Sequence, residues 1–207
     1  MNTPAPTPLP ASARSALIVV DMQNGFVNPK GSCASTGFPV AELAPAIAPC
    51  RTAIDVARRA RVPIVFTRYT YRADFRDGGF MLKEKFPMLA DANALVAGSW
   101  DQALLDELGA TDSDFLIDKN RPSSFYGTPL ESYLKGLGVE EVVICGVTTQ
   151  CCVETTVRDA AQRDFRTFVL SDAVAEWNKE QQASALATMG MLFAHLITTA
   201  DLNRAWQ

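Results

Sequence analysis

Three side-chain types in this chain have the chemistry for acyl transfer: a thiol, a carboxylate and an ammonium. The thiols Cys151 and Cys152 follow the apolar run Glu141-Val-Val-Ile-Cys145 and Gly146, and they open a segment through Ala160 whose spacing predicts an amphipathic helix. A thiol carried by a buried strand to a helix N-terminus meets the partial positive charge of the first turn. That charge favours the thiolate and lowers a cysteine pKa from about 8.5 to as low as roughly 3.5–7.5. A buried structural thiol is the alternative, since most cysteines are of that kind. Asp21 ends the apolar run Ser15–Val20, and Lys119 ends Phe115-Leu-Ile-Asp118. Brought together, the carboxylate takes the thiol proton and the lysine holds carboxylate and thiolate as charged partners. Apart, each charge merely ends its strand.

The elements that must position them alternate. Ser15–Val20 has the near-continuous apolar character of a central parallel strand, and Met22–Phe38 is a loop over its end in which Phe26 is the anchor. A helix is predicted from Pro39 through Ala60, with Leu43, Ile47, Ile54 and Ala57 on one stripe, followed by a strand over Val62–Thr67. Residues 69–100 lack periodicity, as a lid, substrate loop or interface would, and Arg68, Arg72 and Arg76 at its start are candidates for holding a substrate carboxylate. A short helix is predicted over Asp101–Leu108 and a third strand over Phe115–Lys119. Thr128-Pro-Leu-Glu131 has the form of a capping box for a helix running to Gly136–Gly138. Strands from Val142, over Arg166–Leu170 and over Leu196–Thr199 complete the pattern, with a helix capped at Asn178 running through Phe193. This alternation predicts an α/β fold with a doubly wound, mainly parallel sheet, in which ligands bind at the C-terminal strand ends. Asp21, Lys119 and the cysteine pair all fall there.

Composition narrows the choice. The 207 residues, 48% hydrophobic and 20% charged, fit a single domain over residues 15–207, and the proline-rich residues 1–14 read as a disordered tail. A net charge of −4 without a basic stripe disfavours nucleic acid as a partner. No run is apolar enough for a membrane span or a signal peptide, so no membrane partner and a cytoplasmic location are expected. Five cysteines, an odd number without metal spacing, imply reduced thiols. The one histidine, His195, lies at a helix–strand seam where packing is the expected role. Ser-His-Asp and Cys-His catalysis are disfavoured, and a zinc site on paired histidines is excluded; no metal or other cofactor is expected.

The segments Ala16-Leu-Ile-Val-Val-Asp-Met-Gln-Asn-Gly-Phe26, Lys119-Asn-Arg-Pro-Ser-Ser-Phe-Tyr-Gly-Thr128 and Gly146-Val-Thr-Thr-Gln-Cys-Cys-Val-Glu-Thr-Thr156 resemble, in order and spacing, the isochorismatase-like cysteine hydrolases. The resemblance covers about residues 15–200. It implies a three-layer α/β/α fold with a six-stranded sheet, and a catalytic triad of Asp21, Lys119 and Cys152. It also implies a cis peptide between Val147 and Thr148 and an oxyanion hole made by the backbone N–H groups of Thr148 and Cys152. Gln150 and Cys151 depart from the family pattern, which has Asn or Asp and an apolar residue there.

Within the family, the metal-binding histidines of nicotinamidases are missing, and true isochorismatases typically lack the cysteine. The segments Ala97-Gly-Ser-Trp-Asp101 and Tyr126-Gly-Thr128 are similar to the N-carbamoylsarcosine, ureidoacrylate and biuret-type amidohydrolases. The resemblance therefore implies an amidase that releases ammonia from a small ureido or carbamoyl compound, such as a biuret-like molecule or an N-carbamoyl amino acid, through a thioester. Phe26, Gln150, Tyr126, Trp100 and Arg68 are the candidate substrate contacts, and a homo-oligomer is expected. A nicotinamidase-like or isochorismatase-type hydrolase is the alternative enzyme. A thiol redox sensor built on Cys151 and Cys152 is the non-enzymatic one.

Overall fold

The computed structural model describes residues 7–207. Six parallel strands form one sheet: β1 Ser15–Val20, β2 Ile64–Tyr69, β3 Phe115–Lys119, β4 Glu141–Val147, β5 Arg166–Ala175 and β6 His195–Ile197, in the order β3-β2-β1-β4-β5-β6. The connections reverse direction between β1 and β4, so the sheet is doubly wound as expected. All six residues of β1 are buried, because helices cover both faces. Ala16, Ile18 and Val20 pack towards the helices Leu130–Gly136, Glu154–Ala161 and Lys179–Leu192. Leu17 and Val19, pointing the other way, pack against Ile47–Arg59 and Thr199–Ala205.

Several boundaries differ from the sequence reading for identifiable reasons. The helix predicted from Pro39 starts as two 3-10 turns, Val40–Glu42 and Ala44–Ala46, and becomes α-helical only at Ile47. Pro45 and Pro49 lack the N–H donors that a continuous helix would need. The capping box does not form: Thr128 Oγ1 donates to the Ser124 carbonyl, and Glu131 pairs with Lys135 and Arg163. Only Asp106–Leu108 is helical in the Asp101–Leu108 segment. β5 extends to Ala175, beyond the predicted Leu170.

Of the tail expected over residues 1–14, residues 1–6 lie outside the described residues, and the remainder is attached rather than disordered. The Ala11 N–H donates to the buried Glu141 carboxylate at 2.6 Å, and the Pro10 carbonyl accepts from Trp206 Nε1 at 3.1 Å. No helix among the described residues is long and apolar enough to cross a membrane.

Candidate active site

Asp21 follows β1 directly and adopts φ 50°, in the left-handed region that residues with a Cβ seldom use. Its N–H donates to the Thr67 carbonyl at 3.2 Å and its carbonyl accepts from Gln23 N–H at 2.8 Å, which fixes this turn at the sheet edge. Each carboxylate oxygen has one partner and keeps acceptor capacity: Oδ1 accepts from Thr67 Oγ1 at 2.7 Å and Oδ2 from Lys119 Nζ at 2.6 Å. Both side chains of the ion pair are 0% exposed. Lys119 Nζ also donates to the Arg121 carbonyl at 3.2 Å and lies 4.5 Å from the centre of the Tyr69 ring. Burial works to lower the Lys119 pKa, but Asp21 and the Cys152 sulfur outweigh it and hold the lysine above its ordinary value.

The thiols arrive from β4. Gly146 makes this possible: it takes φ 114°, and a Cβ there would lie 2.1 Å from the Val20 carbonyl oxygen. The next peptide, Val147–Thr148, is cis, as the resemblance implies. Residues Thr149–Val153 form a widened π turn before the α-helix Glu154–Ala161, so the cysteines sit in a wide turn at the helix entrance and not in a regular first turn. The Thr148 carbonyl accepts from the N–H groups of Cys151 and Val153 at 3.2 and 3.1 Å, and Glu176 accepts from the Gln150 N–H at 2.8 Å.

Cys152 is buried and Cys151 half-buried. Each thiol is the largest influence on the other, lowering the Cys151 pKa and raising that of Cys152 well above the ordinary thiol value; burial raises both and the Lys119 charge lowers both. The pair therefore ionises as a unit, with one thiolate held beside the other sulfur's proton.

A cavity of about 130 Å³ opens above the sulfurs, with Thr148, Cys151 and Cys152 on one side and the rings of Phe26, Phe38, Tyr69, Tyr71, Phe86 and Trp177 around it. Phe38 lies 4.4 Å from Trp177 and 5.9 Å from Phe86, ring centre to ring centre. Asp101 ties the loops behind this wall, accepting from Ser32 N–H at 2.8 Å, Ser32 Oγ at 2.6 Å and Leu95 N–H at 2.8 Å. Cys33, also on the cavity wall, has its thiol pushed up to about 12 by burial and by Asp101, so it stays protonated.

Of the five candidate contacts, Phe26 lines the cavity and the other four do not. Arg68 leaves β2 on the opposite face from Tyr69 and pairs with Asp118 at 2.7 Å, a consequence of strand alternation. Gln150 is exposed, with its backbone engaged by Glu176. Tyr126 is 66% exposed and faces a separate surface groove beside Arg158, and Trp100 is 52% exposed while its carbonyl accepts from Asn24 Nδ2. Sequence reasoning missed Thr67, Tyr69, Tyr71 and Trp177. All four lie at or just past the C-terminal ends of β2 and β5, so the rule that located Asp21 would also have located them. His195 starts β6, at the far edge of the sheet, and packs 5.3 Å from the Phe168 ring. Among the described residues no group of three His, Cys, Asp or Glu side chains is arranged to hold a metal ion.

The isochorismatase domain model matches residues 15–201. The ureidoacrylate amidohydrolase RutB of Azorhizobium caulinodans is 29% identical over 97% of this chain and 94% of its own length. Nicotinamidase 3 of Arabidopsis thaliana is 34% identical over 95% of this chain and 90% of its own. Among solved structures, a cysteine hydrolase from Pseudomonas syringae pv. phaseolicola superposes with a TM-score of 0.89 at 28% identity, covering 100% of this chain and 98% of the other. N-carbamoylsarcosine amidase from Thermoplasma acidophilum gives 0.71 at 26% identity, covering 90% and 96%.

Proposed function

Because the chain belongs to the isochorismatase family, we propose that it is a cysteine-dependent amidohydrolase that cleaves the C–N bond of a small carboxamide or ureide and releases ammonia. The observation that carries this reading is the fully buried Asp21–Lys119 pair, 2.6 Å apart, at the same sheet edge as the Cys152 thiol. In this reading Asp21 takes the Cys152 proton, and the sulfur adds to the substrate carbonyl. The oxyanion accepts hydrogen bonds from the backbone N–H groups of Thr148 and Cys152, each worth about 10²–10³ in rate. Collapse breaks the C–N bond, Asp21 returns the proton to the departing ammonia, and an acyl thioester remains on Cys152. Water, deprotonated by Asp21, then adds to the thioester and expels the thiolate.

Lys119 holds the Asp21 carboxylate by a 2.6 Å ion pair and lowers the energy of the Cys152 thiolate through its charge. The relatives named for ureidoacrylate, N-carbamoylsarcosine and nicotinamide support an amide-type carbonyl. Incubating the protein with a panel of ureides, simple carboxamides and nicotinamide, with ammonia assayed and intact mass recorded, tests the reading. An acyl adduct on the Cys152 peptide together with ammonia release is the expected result. Ammonia release that persists in Cys152→Ala would refute the thioester route.

A further inference from the structure

Resting on the hydrolase reading above, we propose that the acyl part of the substrate is uncharged and apolar, no larger than a single ring or a short branched chain, so that carboxylate-bearing ureido acids are rejected. The cavity over the thiols is walled by Phe38, Met81, Phe86, Leu89, Leu95 and Trp177, and among the described residues none lining it carries a formally charged side chain. A substrate carboxylate would have to shed its water there without a cation to replace it, which is strongly unfavourable.

The nearby cations Lys119, Arg68, Arg72 and Arg121 are not part of the cavity lining. Lys119 is sealed against Asp21, Arg68 pairs with Asp118, Arg72 pairs with Asp74, and Arg121 donates to the carbonyls of Asp77 and Asn120. Whether the proton sits on Asp21 or on Cys152, the Asp21, Lys119 and Cys152 side chains sum to no net charge, so they offer a carboxylate no net attraction. The buried Glu176 carboxylate, which accepts from the Gln150 and Trp177 N–H groups at 2.8 and 2.9 Å, presents acceptor oxygens and no cation beside the Trp177 wall. A carboxylate entering this cavity is therefore desolvated without a cation to compensate it. Size follows from volume: the cavity holds about 130 Å³, and an apolar cavity of about 150 Å³ takes one benzene molecule.

Ureidoacrylate and N-carbamoylsarcosine, the compounds in the relatives' names, are both carboxylates. This chain is similar to those proteins over most of its length, yet among the described residues its cavity lining holds no cation to pair with a carboxylate.

Isovaleramide and malonamate make a decisive pair, being near-isosteres in which an isopropyl group replaces a carboxylate. Ammonia release from each by the full-length protein gives the ratio of kcat/KM, and calorimetric binding to Cys152→Ala gives the preference without chemistry. The expected outcome is a preference for isovaleramide on the order of 100-fold or more, with benzamide accepted as a single ring. In Met81→Arg, which places a cation on the wall at a half-buried position, the ratio should narrow by about tenfold or more. If malonamate is hydrolysed or bound as well as isovaleramide, this proposal falls while the hydrolase reading stands. If isovaleramide binds selectively but no amide is hydrolysed, the cavity assignment stands and the hydrolase reading falls. Absence of binding by either compound overturns the proposal.

Discussion

Neutralising Asp21 would strand a buried ammonium, because the remaining partner of Lys119 Nζ is the Arg121 carbonyl at 3.2 Å. Removing either half of such a pair typically costs about 3–5 kcal/mol, as the other charge is left without compensation. We expect Asp21→Asn and Lys119→Ala each to lower kcat/KM by at least about 10³-fold, with the double variant little worse than either single one. Losses that add would mean the two groups serve separate steps. The thiols separate differently: Cys152→Ser should lose on the order of 10⁴-fold in turnover, while Cys151→Ala should stay within about tenfold of the parent. Cys151→Ala also removes the neighbouring thiol that is the largest cause raising the Cys152 pKa. The pH midpoint for alkylation of Cys152 should therefore move down in that variant, and an unchanged or higher midpoint would contradict the shared-proton arrangement. The three charged or nucleophilic positions were legible in the sequence because strand ends in an α/β chain converge by topology. The wall of the cavity was not. Whether Arg68 or Tyr69 faces the thiols depends on the phase of the pleat relative to the sheet, and no spacing in the sequence fixes that phase.

Local backbone geometry decides how the elements deliver those residues. β4 pairs with β1 from Ser15↔Glu141 to Val20↔Gly146, and at the last rung the two chains approach too closely for any side chain. Gly146→Ala meets both a φ of 114° and a backbone oxygen 2.1 Å from its new Cβ. A destabilisation of about 3 kcal/mol or more is expected, read as a drop in the urea midpoint, together with loss of turnover as the 147–153 turn shifts. Wild-type stability in that variant would show that the rung can relax. The elements themselves were readable from apolar runs and punctuation. Their ends were not, because competing partners intervened: Arg163 draws Glu131 away from a cap, and prolines divide the helix predicted from Pro39. Asp101 illustrates the same limit, since nothing local announces that it will bridge Ser32 and Leu95.

On the scale of the whole molecule, Tyr69, Cys33 and Lys119 at or beside the cavity are shifted up, while Cys151 is shifted down. Burial holds the Tyr69 hydroxyl far above the ordinary tyrosine value, Cys33 is pushed up to about 12, and Lys119 is raised by its neighbours despite burial. Each raised value contributes stability that is complete below the pKa of the unfolded chain and is lost as pH climbs towards the folded one. Thermal midpoints should hold level near neutrality and fall above pH about 9–10, where unfolded cysteine, tyrosine and lysine release protons that the folded chain retains. Tyr69→Phe should flatten part of that decline. A parent protein whose midpoint stays level to pH about 11 would show that these groups do not govern alkaline stability.

The order of strands has a further meaning for how the molecule comes into being. Asp21, Thr67 and Lys119 all belong to β1–β3 or their ends, whereas Thr148 and the thiols follow β4, the first strand of the other half of the sheet. A ribosome therefore completes the proposed proton acceptor Asp21 and its partner Lys119 before it has polymerised Cys152. The Val20↔Gly146 rung between β1 and β4 forms only once both halves of the sheet exist, so the proposed triad is assembled by the last step that joins them.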